Sequence, residues 1–283
     1  MATSRLRRDR IQLSTRVVSA AIIPFLIVGF LVLFPWPGDT RRLFAWQIKP
    51  TMSAMVLGSA YLGGAYFFLR VVRSSRWHTV SGGFPAVATF ASLMGITTIL
   101  HWHRFIHANV AFWLWVGLYF TTPFIVMWVF LRNQGEYATS TELDLRISPV
   151  TAAVMVVGAG SALVTSAFLF LFPGQAIQIW PWTLTPLTAR MLAAIFALGL
   201  SGLGAARERR WSATRIPLQV AGVMLILILV AGVRAHDEFD SSNPLTWLFA
   251  VGFAATTVAA VSLYIRMEAR DKRRRKPDPE EWS

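Results

Sequence analysis

The sequence contains no cysteine in its 283 residues. Disulfides, iron–sulfur clusters, thiolate zinc sites and cysteine nucleophiles are thereby excluded, and the redox compartment is left open. Charge is scarce as well. Asp, Glu, Lys and Arg make up 14% of the chain, against about 25% in an ordinary soluble domain. With 55% of the residues hydrophobic, there are too few charges to cover a soluble surface, so the fitting solvent is a bilayer. Acidic residues are the scarcer sign, 14 against 27 Lys and Arg, for a net charge of +13. No P-loop, HExxH or GxSxG pattern occurs. No nucleic-acid-binding motif occurs either, so the basic balance is read as loops facing anionic lipid rather than nucleic acid. No motif assigns an activity or a cofactor.

What is present is long apolar runs. A spanning helix needs about 20 mostly apolar residues, because roughly 30 Å of hydrocarbon is crossed at 1.5 Å per residue. Eight segments meet or nearly meet this, at 17–34, 51–70, 84–102, 109–131, 149–172, 187–206, 216–234 and 245–265. The basic start (Arg5, Arg7, Arg8, Arg10) followed by an apolar run resembles a signal peptide. No Ala-x-Ala cleavage site follows, so the run is read as an uncleaved first helix. Pro24 and Pro123 fall inside segments and are expected to kink them. Pro85, Pro149 and Pro217 fall at segment starts, where a missing N–H costs little.

The basic residues set the orientation. Six of the 27 Lys and Arg (Arg41, Arg42, Lys49, Arg104, Arg190, Arg234) fall on one side, and the remaining 21 on the other with both termini. The positive-inside rule then places both termini in the cytoplasm of a multi-pass plasma-membrane protein.

The chain repeats itself. Trp46, Pro50, Met55, Leu62 and Gly63 match Trp182, Pro186, Met191, Leu198 and Gly199, each 136 positions on. Leu33-Phe34-Pro35 matches Leu171-Phe172-Pro173 at 138, and Trp77, Phe105, Asn109 and Trp113 match Trp211, Phe239, Asn243 and Trp247 at 134. An ordered set of matches over this length implies duplication. Each half has an even number of helices, so the halves share one orientation, as in parallel repeats. The expected fold is all-α, a polytopic membrane protein of eight transmembrane helices in two parallel-oriented four-helix repeats. Its parts are a basic cytoplasmic N-terminus (1–16), the first repeat (17–131), a cytoplasmic linker (132–148), the second repeat (149–265) and a charged cytoplasmic tail (266–283). The tail's basic cluster is expected to lie on anionic headgroups.

Glycines at Gly58, Gly63 and Gly64, Gly158 and Gly160, and Gly199, Gly202 and Gly204 mark the second, fifth and sixth segments as the bundle interior, because small residues let helices approach closely. Tryptophans near the outer ends are read as an aromatic belt at headgroup level, Trp46 and Trp182 among them.

Intramembrane ionisable residues, the usual pointer to a transport path, are few. Arg190 is one candidate, able to bind an anion or to snorkel to the interface; its counterpart 136 positions earlier is Ala54. The richest polar clusters are two matched outer loops. One is basic, with His101, His103, Arg104 and His107. The other is acidic, with His236, Asp237, Glu238 and Asp240. Facing each other, they could form a charge-paired cap. His103 and His107, with Asp237, Glu238 or Asp240, could take a divalent metal, and His236 with Asp237 or Glu238 could act as acid and base. The blander reading is a polar, aromatic-anchored interfacial loop.

Eight helices in two four-helix halves resemble haem A synthase-like proteins in topology. That resemblance implies axial histidines distributed through both halves, which this chain lacks, so no family is assigned and no cofactor is expected. The leading expectation is transport or permeation of a small or amphiphilic solute, with Arg190 and the outer loops as candidate contacts. A non-catalytic component that packs against a protein partner or its own copies, and an enzyme with an extracytoplasmic His/Asp site, are the alternatives.

Overall fold

The computed structural model describes residues 9–137 and 144–274. Arg5, Arg7 and Arg8, the polar linker positions 139–142 and the tail from Arg275 onward, on which the anionic-lipid expectation partly rests, lie outside the described residues.

Eight helices are long and apolar enough to cross a membrane: α1 (Leu13–Leu33), α2 (Thr51–Arg73), α3 (Gly83–Leu100), α4 (Val110–Gln134), α5 (Pro149–Leu171), α6 (Pro186–Arg207), α7 (Trp211–Arg234) and α8 (Pro244–Arg274). They suggest an integral membrane protein. Among the described residues no strand forms, and the extended segments make only isolated bridges. Both described ends emerge at one end of the bundle, labelled inner after the orientation expected from the basic residues, and the opposite end is labelled outer.

Local chemistry explains where the helices begin. Pro149 and Pro186 occupy the first turns of α5 and α6, where Ser148 and Thr185 accept hydrogen bonds from the N–H groups of Thr151 and Thr188. Asn109 and Asn243 do the same for Ala111 and Leu245 at the starts of α4 and α8. Each satisfies an N–H that the helix itself leaves without a partner. Two boundaries differ from the sequence reading. α7 starts at Trp211 rather than 216, with Pro217 inside it, because the first turns are stitched to the segment before α5 by Trp211 N–H donating to Leu145 O. α8 continues to Arg274, past the expected end at 265, as a charged helical extension. α6 changes character midway, tightening to 3-10 geometry over Ala197–Leu203.

Packing is crosswise. α2 packs on α1 and α7, and α6 on α5 and α3, while α3 also packs on α4 and α7 on α8. The interior helices are α2, α3 and α6, with 67, 56 and 44% of their central residues buried, against 17% for α5. The sequence placed α5 inside on the strength of its glycines. A methyl group added at Gly158 or Gly160 would meet nothing within 4 Å, so these two glycines pack against nothing. Gly204 likewise has nothing beside it, whereas Gly58, Gly63, Gly64, Gly199 and Gly202 meet neighbours as expected. A Cβ at Gly199 would lie 2.8 Å from that of Ala162, and one at Gly63 would lie 2.6 Å from Met224 Cγ.

The outer end is built on aromatic clusters. Trp46 packs against Phe105 and Trp115 at 5.1 and 4.8 Å between ring centroids, and Trp115 against Tyr119 at 4.2 Å. At positions 136 or 134 further on, Trp182 packs against Phe239 and Phe249 at 5.2 and 5.1 Å, and Phe249 against Phe253 at 4.3 Å. Trp46 and Trp182 are therefore core residues, 2 and 3% exposed, and not part of a headgroup belt. Trp36, Trp102, Trp113 and Trp247 are exposed.

Candidate functional site

The outer polar loops are used internally. Arg190 donates from Nε to Phe170 O (3.2 Å), which closes the end of α5, and its Nη1 lies 2.8 Å from His101 Nε2. Burial and then the Arg190 charge push His101 below the ordinary histidine pKa. The ring therefore stays neutral and accepts from the guanidinium. Glu238 reaches across the outer end and caps α2, accepting from Thr51 N (2.8 Å), Thr51 Oγ1 (2.7 Å) and Met52 N (2.7 Å). Arg234 donates to Phe34 O at the end of α1 (2.7 Å). Asp240 accepts from Ser242 N and Oγ within its own turn, and these bonds hold its carboxyl below the usual range.

The histidines do not converge. His107 packs its ring on Phe112 at 4.7 Å, and His103 and His236 are exposed, with His236 Nδ1 3.2 Å from Val233 O. Asp237 is exposed too. Among the described residues no three His, Asp or Glu side chains stand where one metal ion could bind. The ion pairs His78–Asp9, Arg210–Glu208 and Arg215–Glu268 all lie elsewhere and do not join the basic loop to the acidic one. The signature residues act as frame: Pro50 and Pro186 open α2 and α6, and Asn109 and Asn243 tie the starts of α4 and α8 to the α1–α2 and α5–α6 loops, donating to Arg42 O and Phe44 O in one case and to Ile179 O and Trp180 O in the other.

A second polar chain, at the inner end, escaped the sequence reading. Asp9 accepts from His78 N–H (2.9 Å) and pairs with the ring Nδ1. His78 Nε2 lies 3.0 Å from Ser212 Oγ, and Ser212 bonds in turn to Asp144. The order Asp–His–Ser is that of a hydrolase relay. Here, however, the serine hydroxyl is held by a second carboxylate, His78 is 2% exposed, and none of the four residues lines the large cavity inside the bundle. The chain ties the start of the protein, the α2–α3 turn, the α6–α7 turn and the linker into one joint. Its signal was the spacing itself, since His78 and Ser212 are 134 positions apart.

The remaining feature is a cavity of about 920 Å³ inside the bundle. It is lined mostly by apolar side chains, with a few hydroxyls such as Thr122, Ser161 and Thr165, from all eight helices, and no Asp, Glu, Lys, Arg or His is among them. None of the outer-loop candidates reaches it. Its wall follows α5 from Val150 to Thr165 and α8 from Phe249 to Leu263. α1 packs on α4, but α5 and α8 do not pack on each other in the same way. They come together around the small inner cluster of Ile147, Ala152, Trp211 and Met267, and further out both line the cavity. No family model, curated protein or solved structure matches this chain.

Proposed function

We propose that this chain is a multi-pass protein of the cell membrane, that it consists of two parallel four-helix repeats with both termini in the cytoplasm, and that it admits or carries an amphiphilic solute by way of the cavity between them. The observation behind this reading is a largely apolar space of about 920 Å³ flanked by helices α5 and α8, which pack on each other less than α1 packs on α4 and meet around the inner Ala152–Met267 cluster. A molecule dissolved in a bilayer reaches such a space sideways, without its chain crossing water. Ligand sites are commonly of this size, roughly 300–1,000 Å³, and mostly apolar. The recurring Trp46 and Trp182 clusters favour duplication, as do the antiparallel bridges Arg10–Arg76 and Arg146–Arg210, spaced by the same intervals. The bias of basic residues favours the orientation, and it gives the inner tail an attraction to anionic lipid.

The test is transfer of a fluorescent long-chain amphiphile by protein in liposomes. Gly158 lines the cavity and has free space beside it. Gly158→Trp should therefore fill the route and remove most of the protein-dependent rate. A rate unchanged by this substitution rules out the cavity as the path. A second reading, attachment to a partner protein, is favoured by α8, of whose central window 6% is buried. Co-purification of a stoichiometric partner that protects α8 from labelling would favour it.

A further inference from the structure

Hydrogen-bonding capacity on the cavity wall includes the indole Nε1 of Trp180 near the outer end, which has no partner, and, at mid-length, a pair of phenols. Tyr61 of α2 and Tyr119 of α4 both belong to the wall, each is 3% exposed, and their hydroxyls share one hydrogen bond of 2.9 Å. Two phenols carry two donor protons, and one bond uses one of them. The accepting phenol is left with a proton that no described residue takes. A buried donor in that position costs about 1–3 kcal/mol, and an occupant with an acceptor oxygen removes the cost.

Depth narrows the choice. Tyr61 stands at the eleventh of 23 residues in α2 and Tyr119 at the tenth of 25 in α4, so both lie near mid-length. A spanning helix brings this level to the centre of the hydrocarbon, roughly 15 Å from either headgroup layer. Phospholipid headgroups do not reach it, and no cationic or anionic side chain lines the cavity to receive a charge. An ion there would stay both desolvated and unpaired. The acceptor must therefore belong to an uncharged group able to lie at the bilayer midplane. The rest of the wall suits hydrocarbon: the stretch of α5 from Val150 to Thr165 runs about 22 Å at 1.5 Å per residue. Phe90 packs edge-on against Tyr119 at 5.9 Å, which gives a flat ring an aromatic neighbour beside the hydroxyl pair.

We infer that the occupant is an uncharged long-chain lipid whose polar function is a carbonyl, the chemistry of a lipid-soluble quinone, with the carbonyl accepting from the Tyr61–Tyr119 pair and the chain lying toward the gap between α5 and α8. This rests on the reading of the cavity as a solute site. The experiment uses the full-length protein in phosphatidylcholine nanodiscs, titrated with decylbenzoquinone and, in parallel, with decylbenzene, which has the same chain and no carbonyl. Quenching of tryptophan fluorescence reports binding, since Trp180 and Trp182 line the cavity. The parent should bind the quinone saturably and more tightly than decylbenzene. The double variant Tyr61→Phe/Tyr119→Phe keeps both rings and removes both donors. It should bind the quinone about tenfold more weakly, the equivalent of one hydrogen bond, and decylbenzene as before. Gly158→Trp should weaken both probes. If Gly158→Trp weakens both and the double variant changes neither, the carbonyl assignment fails while the solute site survives. If Gly158→Trp changes neither, both readings fail. Should the double variant not fold, equal affinities of the parent for the two probes overturn the assignment.

Discussion

Replacing Glu238 with alanine should destabilise the outer end of α2 more than the loss of any other acidic side chain in that loop. The first turn of a helix leaves N–H groups without partners, and the residue before α2, Pro50, offers no side-chain acceptor. Glu238 supplies one from 187 positions away, with one carboxylate oxygen on Thr51 N and Oγ1 and the other on Met52 N at 2.7 Å. Hydrogen bonds to a charged group contribute about 1.5–3 kcal/mol net, and a carboxylate at a helix N-terminus adds roughly 0.3–1 kcal/mol. Glu238 is half-buried, so solvent screens part of this, and the expected loss is about 2–3 kcal/mol. For a chain of this length that is a fall of roughly 5 °C in the unfolding midpoint, measured in detergent by intrinsic tryptophan fluorescence. Asp240→Ala is the control. Its carboxylate is exposed and bonds only within its own turn, so its midpoint should stay close to that of the parent. A double-mutant cycle of Glu238→Ala with Thr51→Ala should return a coupling of about 1 kcal/mol. If Glu238→Ala unfolds with the parent, or Asp240→Ala falls as far, the cap does not hold α2.

Three further outcomes follow from single contacts. His101 should titrate below the usual histidine value of about 6.5 in an NMR experiment on the labelled protein, and Arg190→Ala should move it upward. Because its folded pKa is lowered, the unfolded chain binds the extra proton; the stability His101 contributes is complete above the unfolded value and declines as the pH falls through the folded one. Gly29→Ala should cost about 1–3 kcal/mol by overpacking, because its Cβ would lie 2.2 Å from the Tyr61 ring, whereas Gly117→Ala, with nothing within 4 Å, should be near neutral. Trp182→Phe should destabilise by about 1–2 kcal/mol more than Trp46→Phe. The Trp182 indole donates to buried Ser53 Oγ at 2.9 Å, while that of Trp46 has no partner; equal losses would refute this.

Much of the frame was legible in the residues. Eight apolar runs became eight helices, because hydrocarbon length is a one-dimensional quantity that a sequence displays directly. The Asn109 and Asn243 matches marked two equivalent caps, since a cap needs a particular residue type at a particular place. The site was less legible. Arg190, His101 and Glu238 stood out as polar residues, but which donor each would meet depended on how α2, α3, α6 and α7 cross. The glycines of α5 looked like those of α6, yet Gly199 has Ala162 beside it and Gly158 has empty space. Trp46 and Trp182 were read as interfacial because indole favours headgroups, and packing between the helix ends overrode that preference. An internal cavity leaves no motif, because it is defined by where side chains are not.

The α1–α4 and α5–α8 contacts differ because matched positions carry different residues. Asn133, fully buried, accepts from Gln12 N (3.1 Å) and Thr15 Oγ1 (2.7 Å) and donates to Arg10 O (2.8 Å), which fastens α4 to α1. The residue 134 positions on is Met267, which has no comparable donor or acceptor, and the counterpart of Thr15, Thr151, bonds to Ser148 instead. An apolar cluster with a flexible thioether tolerates sliding and repacking far better than a buried amide with three fixed partners. Parting α5 from α8 thus disturbs dispersion contacts, whereas parting α1 from α4 would strand an amide. The tyrosines follow the same division. Tyr61 and Tyr119 bond to each other within the fastened set of helices, and the matched positions hold Ala197 and Phe253, which have no hydroxyl. The phenol pair thus belongs to α2 and α4 and the looser contact to α5 and α8, so the solute proposed above would place its carbonyl on one set of helices and its chain toward the other.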